Sequence, residues 1–431
     1  VQENYSIEFF IEGGRTRTGR LVYPKLGILH YLVNAIDEHY NNDLVFVPIS
    51  IGYDRVLEEG SYAQELKGKN KAKETMGSVV KSSRVLWRKH GMAYVNFDKP
   101  FTLKEIESTG LTGEERVKEV ANRVVKGINR VTSIGPFNLT TTAMLLMSAK
   151  GFSRTGLIEK MKLLHDYFTC LGVNIHEKAR ETSDFEEILN YVFASYLEDK
   201  IIEEIKLEDG QKIEGIHIIR EENRARIAFY KNSISHFLLG ISFTCLGILV
   251  CRKNGQTIKT EEIVTHFQFL KKLLSREYIY PNEFDDELKA VRGAVAYMSQ
   301  RGLVNADNGT VTLRDDKSDE ILFFARTVQE MLESYLIVID MIDQIFRKKI
   351  PAKEMMVDIR KNGVKLYHLG KVKLPESLSA PNYKSALQHF MDDGIIEEDS
   401  PGKKGSAYSS KDQVTPRKLR DAIDQYIASL I

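Results

Sequence analysis

The sequence predicts an α/β unit over residues 1–130, followed by a mostly helical region over residues 131–431. Three observations carry this reading. Apolar runs of five to eight residues alternate with helical spacing across the first hundred residues. Beyond residue 130 helical periodicity takes over, and strands become few and short. A chain of 431 residues with 42% hydrophobic residues is ordinary in composition but too long for one small core.

Ile7–Ile11 (IEFFI) predicts a short strand ended by Glu12-Gly13-Gly14. Leu26, Leu29, Leu32, Val33 and Ile36 fall at helical spacing. Leu44–Ile51 (LVFVPISI) is continuously apolar, which predicts a strand covered on both faces; Pro48 within it lacks a donor and implies an edge or bulge. Met92–Phe97 predicts a further strand and Glu114–Asn129 a helix, so the unit reads as half of an open sheet. Helices are then predicted over Thr141–Lys150, Gly156–Cys170, Phe185–Ile205, Ala225–Cys251, Thr260–Leu273, Asp286–Arg301 and Asp319–Phe346.

An internal echo joins Ala294–Asn308 to Ala386–Ser400. Both read as a helix, a Gly and an apolar pair, and hairpins are expected at Gly309–Leu313 and Lys403–Ser409. A helix followed by a β-wing is the winged-helix arrangement. Asp392, Asp393, Glu397 and Glu398 are the wrong charges for a nucleic-acid reader, so a packing module is preferred and no nucleic-acid partner is expected.

Lys and Arg number 61 against 60 Asp and Glu, which excludes a disordered polyelectrolyte. Cys170, Cys245 and Cys251 form no disulfide framework and lack zinc-ligand spacing. The longest apolar run, Ile234–Cys251, contains Ser235, His236, Ser242 and Thr244. A buried core helix is preferred to a membrane span there, with a helix dipping into one leaflet as a third reading. Residues 61–90 hold eight Lys and Arg against two Glu, and include Trp87. That stretch is either a solvated face or a landing surface for anionic lipid, CoA phosphates or an acidic carrier protein.

The segment with the most chemistry is Phe9–Leu21 (FFIEGGRTRTGRL). A strand delivers Glu12 to a tight turn where Gly13 and Gly14 allow backbone geometry that a side chain would block. Arg15, Arg17 and Arg20 follow, interleaved with Thr16 and Thr18. Guanidiniums and backbone N–H groups at a strand end make an anion receptor, with a phosphate monoester as the natural ligand; a solvated basic turn is the plainer alternative.

The segment resembles the glycerol-3-phosphate acyltransferase family, whose third block is Phe-x-Glu-Gly-(Gly/Thr)-Arg-Ser-Arg. It stands here as Phe10-Ile11-Glu12-Gly13-Gly14-Arg15-Thr16-Arg17, with Thr16 for the usual Ser. Val45–Asp54, centred on Pro48, is similar to the fourth block, and Glu58–Lys69 and Tyr94–Pro100 continue in the family's order. The resemblance implies that residues 1–130 are the C-terminal part of an acyltransferase catalytic domain. It further implies acyl transfer from acyl-CoA or acyl-acyl-carrier protein to the sn-1 hydroxyl of glycerol 3-phosphate, giving lysophosphatidate. No cofactor is implied, and the setting would be the cytoplasmic side of the inner membrane, peripheral or shallowly inserted. Glu12, Gly13, Gly14, Arg15, Thr16, Arg17, Arg20 and Pro48 are the substrate-binding candidates.

The family's first block is His, four residues, then Asp. None of the ten histidines here has Asp five positions on; His176 with Glu181 and His217 with Glu222 come nearest but in the wrong order. The second block is absent too. The expectation is therefore a chain that begins inside its catalytic domain, with the catalytic His and Asp upstream of Val1, and that is inactive alone. Dihydroxyacetone-phosphate acyltransferase resembles the sequence nearly as well, and a non-catalytic acyltransferase-like binding protein is the alternative from another class.

Overall fold

The computed structural model describes residues 5–39, 43–56, 59–60, 62, 91–147, 151–180, 185–206, 212–252, 257–344, 349–399, 405–410 and 412–431. The basic stretch 61–90, apart from Tyr62, lies outside the described residues, as does Trp87. The protein combines many helices with small sheets whose strands all pair antiparallel.

The first lobe is built around two helices, Gly27–His39 and Gly113–Val131. Leu29 and Val33 of the first pack with Val117, Val120, Ala121 and Val125 of the second, joined by Ile11, Phe46, Phe101, Leu103 and Ile106. The apolar run Leu44–Ile51 does not form one strand. It breaks at Pro48 into Val45–Phe46, paired with Phe101–Thr102, and Ile49–Tyr53, paired with Ala93–Phe97. Pro48 has no N–H to continue a ladder; its carbonyl instead accepts the Asp98 N–H at 2.9 Å. The expected strand Ile7–Ile11 does not form among the described residues, and Tyr5, Ile7 and Phe10 stay exposed. The half of an open sheet expected from the apolar runs is thus replaced, among the described residues, by two separate antiparallel pairs.

Side-chain direction in the Ile49–Tyr53/Ala93–Phe97 hairpin is opposite to that of an ordinary surface hairpin. Ser50 and Tyr94 are buried, whereas Ile51, Tyr53, Val95 and Phe97 face outward. The inward face is satisfied by polar contacts. Ser50 Oγ lies 3.1 Å from Thr132 Oγ1, and the Asn96 amide donates to Ser133 Oγ at 2.6 Å. Asn174 then donates to both Asn96 Oδ1 and Ser133 Oγ at 3.0 Å. Asp54, just beyond the strand, accepts from the Tyr94 and Tyr191 hydroxyls and from the Met92 N–H.

After residue 131 the same arrangement occurs three times: a helix, a short strand, two helices and a hairpin. The first unit runs from Pro136–Leu146 through Phe152–Ser153, Arg154–Cys170 and Phe185–Glu198 to the hairpin Ile202–Lys206/Lys212–Ile219, with an added four-residue helix, Glu177–Arg180, before Phe185. The second comprises Leu239–Cys251, Ile258–Lys259, Thr260–Leu273, Glu287–Gln300 and the hairpin Val304–Asp307/Thr310–Leu313. The third comprises Gln329–Gln344, Ile350–Pro351, Ala352–His368, Ala380–Asp392 and the hairpin Ile396–Asp399/Ala407–Ser410. In each sheet the last strand is central and pairs with both others.

The junction of helix and wing is the same in all three. Ile201, Leu303 and Ile395 donate their N–H to the carbonyls of Tyr196, Met298 and Phe390, five residues back, a helix-ending motif that needs a left-handed residue. Gly302 (φ 66°) and Gly394 (φ 68°) supply it in the second and third units. In the first unit Lys200 is forced there, at φ 53°. The predicted helix Phe185–Ile205 accordingly ends at Glu198 and gives way to a strand at Ile202.

The helix Glu221–Ile234 links the first unit to the second and continues through a 3₁₀ turn, Ser235–Leu238, into Leu239–Cys251. That last helix is apolar all round because it is enclosed all round. Ile241, Phe243, Cys245, Leu246 and Ile248 are buried in one continuous core with residues of Thr260–Leu273, Glu287–Gln300 and Ser318–Ala325. The predicted helix Asp319–Phe346 is likewise divided, at a 3₁₀ turn over Arg326–Val328.

Candidate functional site

The glycine turn is held at its base by main-chain bonds. Gly13 N–H donates to the Phe10 carbonyl at 3.0 Å, and Lys25 N–H donates to the Ile11 carbonyl at 2.8 Å. Gly13 has φ 66°, and a Cβ there would lie 2.9 Å from Lys25 Cγ, so conformation and space both call for glycine. Glu12 does not point at the turn's outer face. Its Oε2 accepts the Val22 N–H at 3.0 Å, which ties the incoming to the outgoing chain. Burial raises the Glu12 pKa above its ordinary value, and the Val22 bond opposes that rise.

Gly13, Gly14 and Arg15 are exposed, while Thr16, Arg17 and Thr18 are half-buried. Arg17 Nη1 donates to the Arg15 carbonyl at 2.7 Å, and its guanidinium carbon lies 5.0 Å from the Tyr62 ring centre. Thr16 and Thr18 bring their hydroxyls to 3.4 Å. The arrangement places two guanidinium side chains and a glycine backbone on one loop, with the Arg17 fork braced by its own main chain.

Arg20 is placed differently. Its side chain is 6% exposed and turned into the molecule, where Nη2 meets Glu277 Oε2 at 2.8 Å and Asn382 Oδ1 at 2.6 Å. Glu330 lies 3.9 Å from Nη1 and pairs in turn with Lys231 at 3.0 Å. Burial works against the Arg20 charge, and Glu277 and Glu330 more than restore it, so its pKa stays above the usual arginine value. Arg20 thus ties the turn to the second and third winged units. Gly19 makes the approach feasible: at φ 90°, a Cβ would sit 2.3 Å from the Phe229 carbonyl oxygen.

Pro48 packs on Gly127, where an added Cβ would stand 2.7 Å from the proline Cγ. The structure therefore brings Glu12 to Arg20 together on one loop and anchors Pro48 separately, on the helix Gly113–Val131.

The helix Glu221–Ile234, most of which the predicted helix Ala225–Cys251 covers, carries polar ties to the first lobe that the sequence did not single out. Arg224 pairs with Glu376 through two hydrogen bonds of 2.9 and 2.8 Å. Arg226 reaches Glu59 at 2.6 Å and Asp199 at 2.9 Å, and Arg55 pairs with the same two carboxylates. The Tyr230 hydroxyl donates to Glu59 at 2.6 Å; burial, then the Glu59 charge, push its pKa well up. Arg226, Tyr230 and Lys231 inside the predicted helix were the available signal. Among the described residues no three His, Cys, Asp or Glu side chains gather as a metal site would require.

The glycine turn thus carries Arg15 and Arg17 on a small α/β lobe backed by a helical region. Residues 62–399 match the family described as glycerol-3-phosphate acyltransferase C-terminal region, and the chain belongs to that family. It is 25% identical over 412 residues to a glycerol-3-phosphate acyltransferase of Actinobacillus succinogenes, covering 91% of this chain and 48% of the relative. The protein of that name from Pasteurella multocida is 24% identical, over 92% of this chain and 49% of its own. That from Aeromonas hydrophila is 25% identical, over 96% and 51%. The chain spans about half the length of the curated relatives it matches.

Proposed function

We propose that this chain carries the glycerol-phosphate-binding part of an enzyme that acylates the sn-1 hydroxyl of glycerol 3-phosphate, forming lysophosphatidate. Residues 1–130 would be the C-terminal part of the catalytic domain, and residues 131–431 the accessory helical region. The observation that carries the reading is the Gly13 turn, which presents Arg15 and Arg17 while Glu12 and Arg20 fasten its two ends.

In this reading Arg15 and Arg17 hold the phosphate and thereby orient the glycerol hydroxyl, so that much of the rate gain comes from positioning. Thr16 and the Gly13–Gly14 backbone complete the cradle, and Pro48 fixes the adjoining chain. Glu12 and Arg20 act as positioning residues. A His held by an Asp would remove the hydroxyl proton, the oxygen would attack the thioester carbonyl, and the thiolate of CoA or acyl carrier protein would leave with that proton. With no His-x-x-x-x-Asp within the 431 residues, the chain by itself should not turn over. Outward-facing Ile51, Val95 and Phe97 support packing against the rest of a catalytic domain. Work at the cytoplasmic face of the inner membrane is part of the proposal; because Leu239–Cys251 is enclosed by protein, lipid contact would fall to other surfaces.

Calorimetric titration with glycerol 3-phosphate tests the reading. Arg15→Gln with Arg17→Gln should weaken binding by about tenfold or more with unchanged thermal unfolding; undiminished binding would refute the phosphate role. In a protein that also carries the His–Asp block, preference for dihydroxyacetone phosphate as acceptor would replace the glycerol assignment.

A further inference from the structure

A cavity of about 370 Å³ lies between the helix Gly113–Val131, the segment Asp98–Phe101 and Asn282. No residue of the glycine turn lines it. Its walls hold four cations, Lys99, Arg123, Lys126 and Arg130, against two carboxylates, Asp98 and Glu119. Glu119, Arg123, Lys126 and Arg130 follow one another at steps of four, three and four residues, which places them on one helix face. The other face buries Val117, Val120, Ala121 and Val125.

Both carboxylates are already satisfied. Asp98 takes Arg130 Nε at 3.2 Å together with Arg130 Nη2. Glu119 takes Arg123 Nε at 3.0 Å and the Asn122 amide at 3.4 Å. The cations, by contrast, keep donors in hand. Arg123 uses Nε, so its two Nη nitrogens have no acceptor among the described residues, and its guanidinium is held 5.8 Å from the Phe101 ring centre. Lys126 gives a single bond to Asn282, and Lys99 is exposed.

Two net positive charges and uncommitted N–H donors match a phosphate monoester, which carries roughly 1.5–2 negative charges and three acceptor oxygens at neutral pH. Guanidinium and ammonium groups bind such oxygens by charge-assisted hydrogen bonds. The volume falls within the usual small-molecule range and leaves room for an organic group beyond the phosphate.

We propose that this cavity is a second phosphate-ester site, separate from the glycine turn. Its ligand is either a soluble phosphate monoester or the head group of a phosphomonoester lipid. The site stands independently of the acyl-transfer reading, because its binding can be measured without turnover.

The test is calorimetry at low salt on the 431-residue protein carrying Arg15→Gln and Arg17→Gln, which removes the turn's contribution. Inorganic phosphate should bind saturably. Lys99→Glu with Lys126→Gln should weaken that binding by about tenfold or more, with an unchanged unfolding transition. Lys99→Glu alone, at an exposed position that cannot disturb packing, should cost about threefold. Flotation with phosphatidylcholine vesicles containing phosphatidate, competed by inorganic phosphate, assigns the lipid source; phosphate binding without flotation assigns the soluble one. Absence of saturable phosphate binding, or equal binding by the charge variants, overturns the proposal and leaves the cavity as a solvated, ion-paired helix face.

Discussion

Phe97 and Phe243 are the same residue in two regions of this protein, and their surroundings could hardly differ more. Phe97 ends a two-stranded hairpin in the first lobe and is 65% exposed; Phe243 lies in the second winged unit and is 0% exposed. The winged units bury their apolar residues in one continuous core that runs from Ile134 to Leu430. The first lobe has a much smaller core and directs Ile51, Val95 and Phe97 away from it, while Ser50, Asp54 and Asn96 face inward. Cohesion in the lobe therefore depends on charge and hydrogen bonding to the helical region, through Arg20, Arg55 and Glu59.

On that contrast, a polar substitution at the lobe's attachment should cost as much as a large truncation in the helical core. Arg20→Ala leaves Glu277 and Glu330 buried without their cation, and should cost about 3–5 kcal/mol in urea unfolding. A loss below about 1 kcal/mol would show that the tie is incidental. Phe243→Ala should cost about 3–5 kcal/mol by opening a cavity, whereas Phe97→Ala should stay within about 0.5 kcal/mol of the parent. Equal losses at the two phenylalanines would remove the distinction between the regions.

Acidification gives a smaller effect on the same seam. His236 Nε2 lies 3.1 Å from the Asn129 carbonyl, at the end of the lobe's long helix. Burial lowers the His236 pKa from 6.5 to about 4, with the Asn129 bond opposing the shift. Well above pH 6.5 the ring is neutral in both folded and unfolded chains, so it has no effect on stability. As pH falls from about 6.5 to about 4 the unfolded chain takes up the proton first, and stability drops by roughly 2–3 kcal/mol. His236→Gln should flatten that part of the stability profile; an unchanged slope would assign it to His165, His217, His266 or His389, all of which burial lowers.

The smallest effect concerns the first wing. Lys200→Gly should raise stability by about 0.5–1 kcal/mol by relieving the left-handed backbone, offset by glycine's greater freedom when unfolded. Gly302→Lys, the reverse change in the second unit, should cost a similar amount.

The same position shows what could be read from the chain. The echo between residues 294–308 and 386–400 is legible because Gly302 and Gly394 punctuate it; the first unit escapes notice because Lys200 stands at the corresponding position. Helices with strong periodicity, such as Thr260–Leu273, are predicted to the residue. The charged helices Ala352–His368 and Val414–Ala428 are not anticipated, although Met355, Ile359 and Leu366 of the first and Ile423, Tyr426 and Ile427 of the second are buried. Leu44–Ile51 misleads because hydrophobicity alone does not show that Pro48 would divide it between two partners.

For the candidate site, local chemistry was visible and long-range commitment was not. The order Glu12-Gly13-Gly14-Arg15-Thr16-Arg17 determines a tight turn carrying guanidiniums, because glycine conformation and residue charge are properties of neighbouring positions. That Arg20 would leave the group depends on Glu277, Glu330 and Asn382, hundreds of residues away, and only packing brings them together. The apolar helix Leu239–Cys251 has the same origin. Its composition fitted either lipid or protein surroundings, and three neighbouring helices decided for protein by enclosing it.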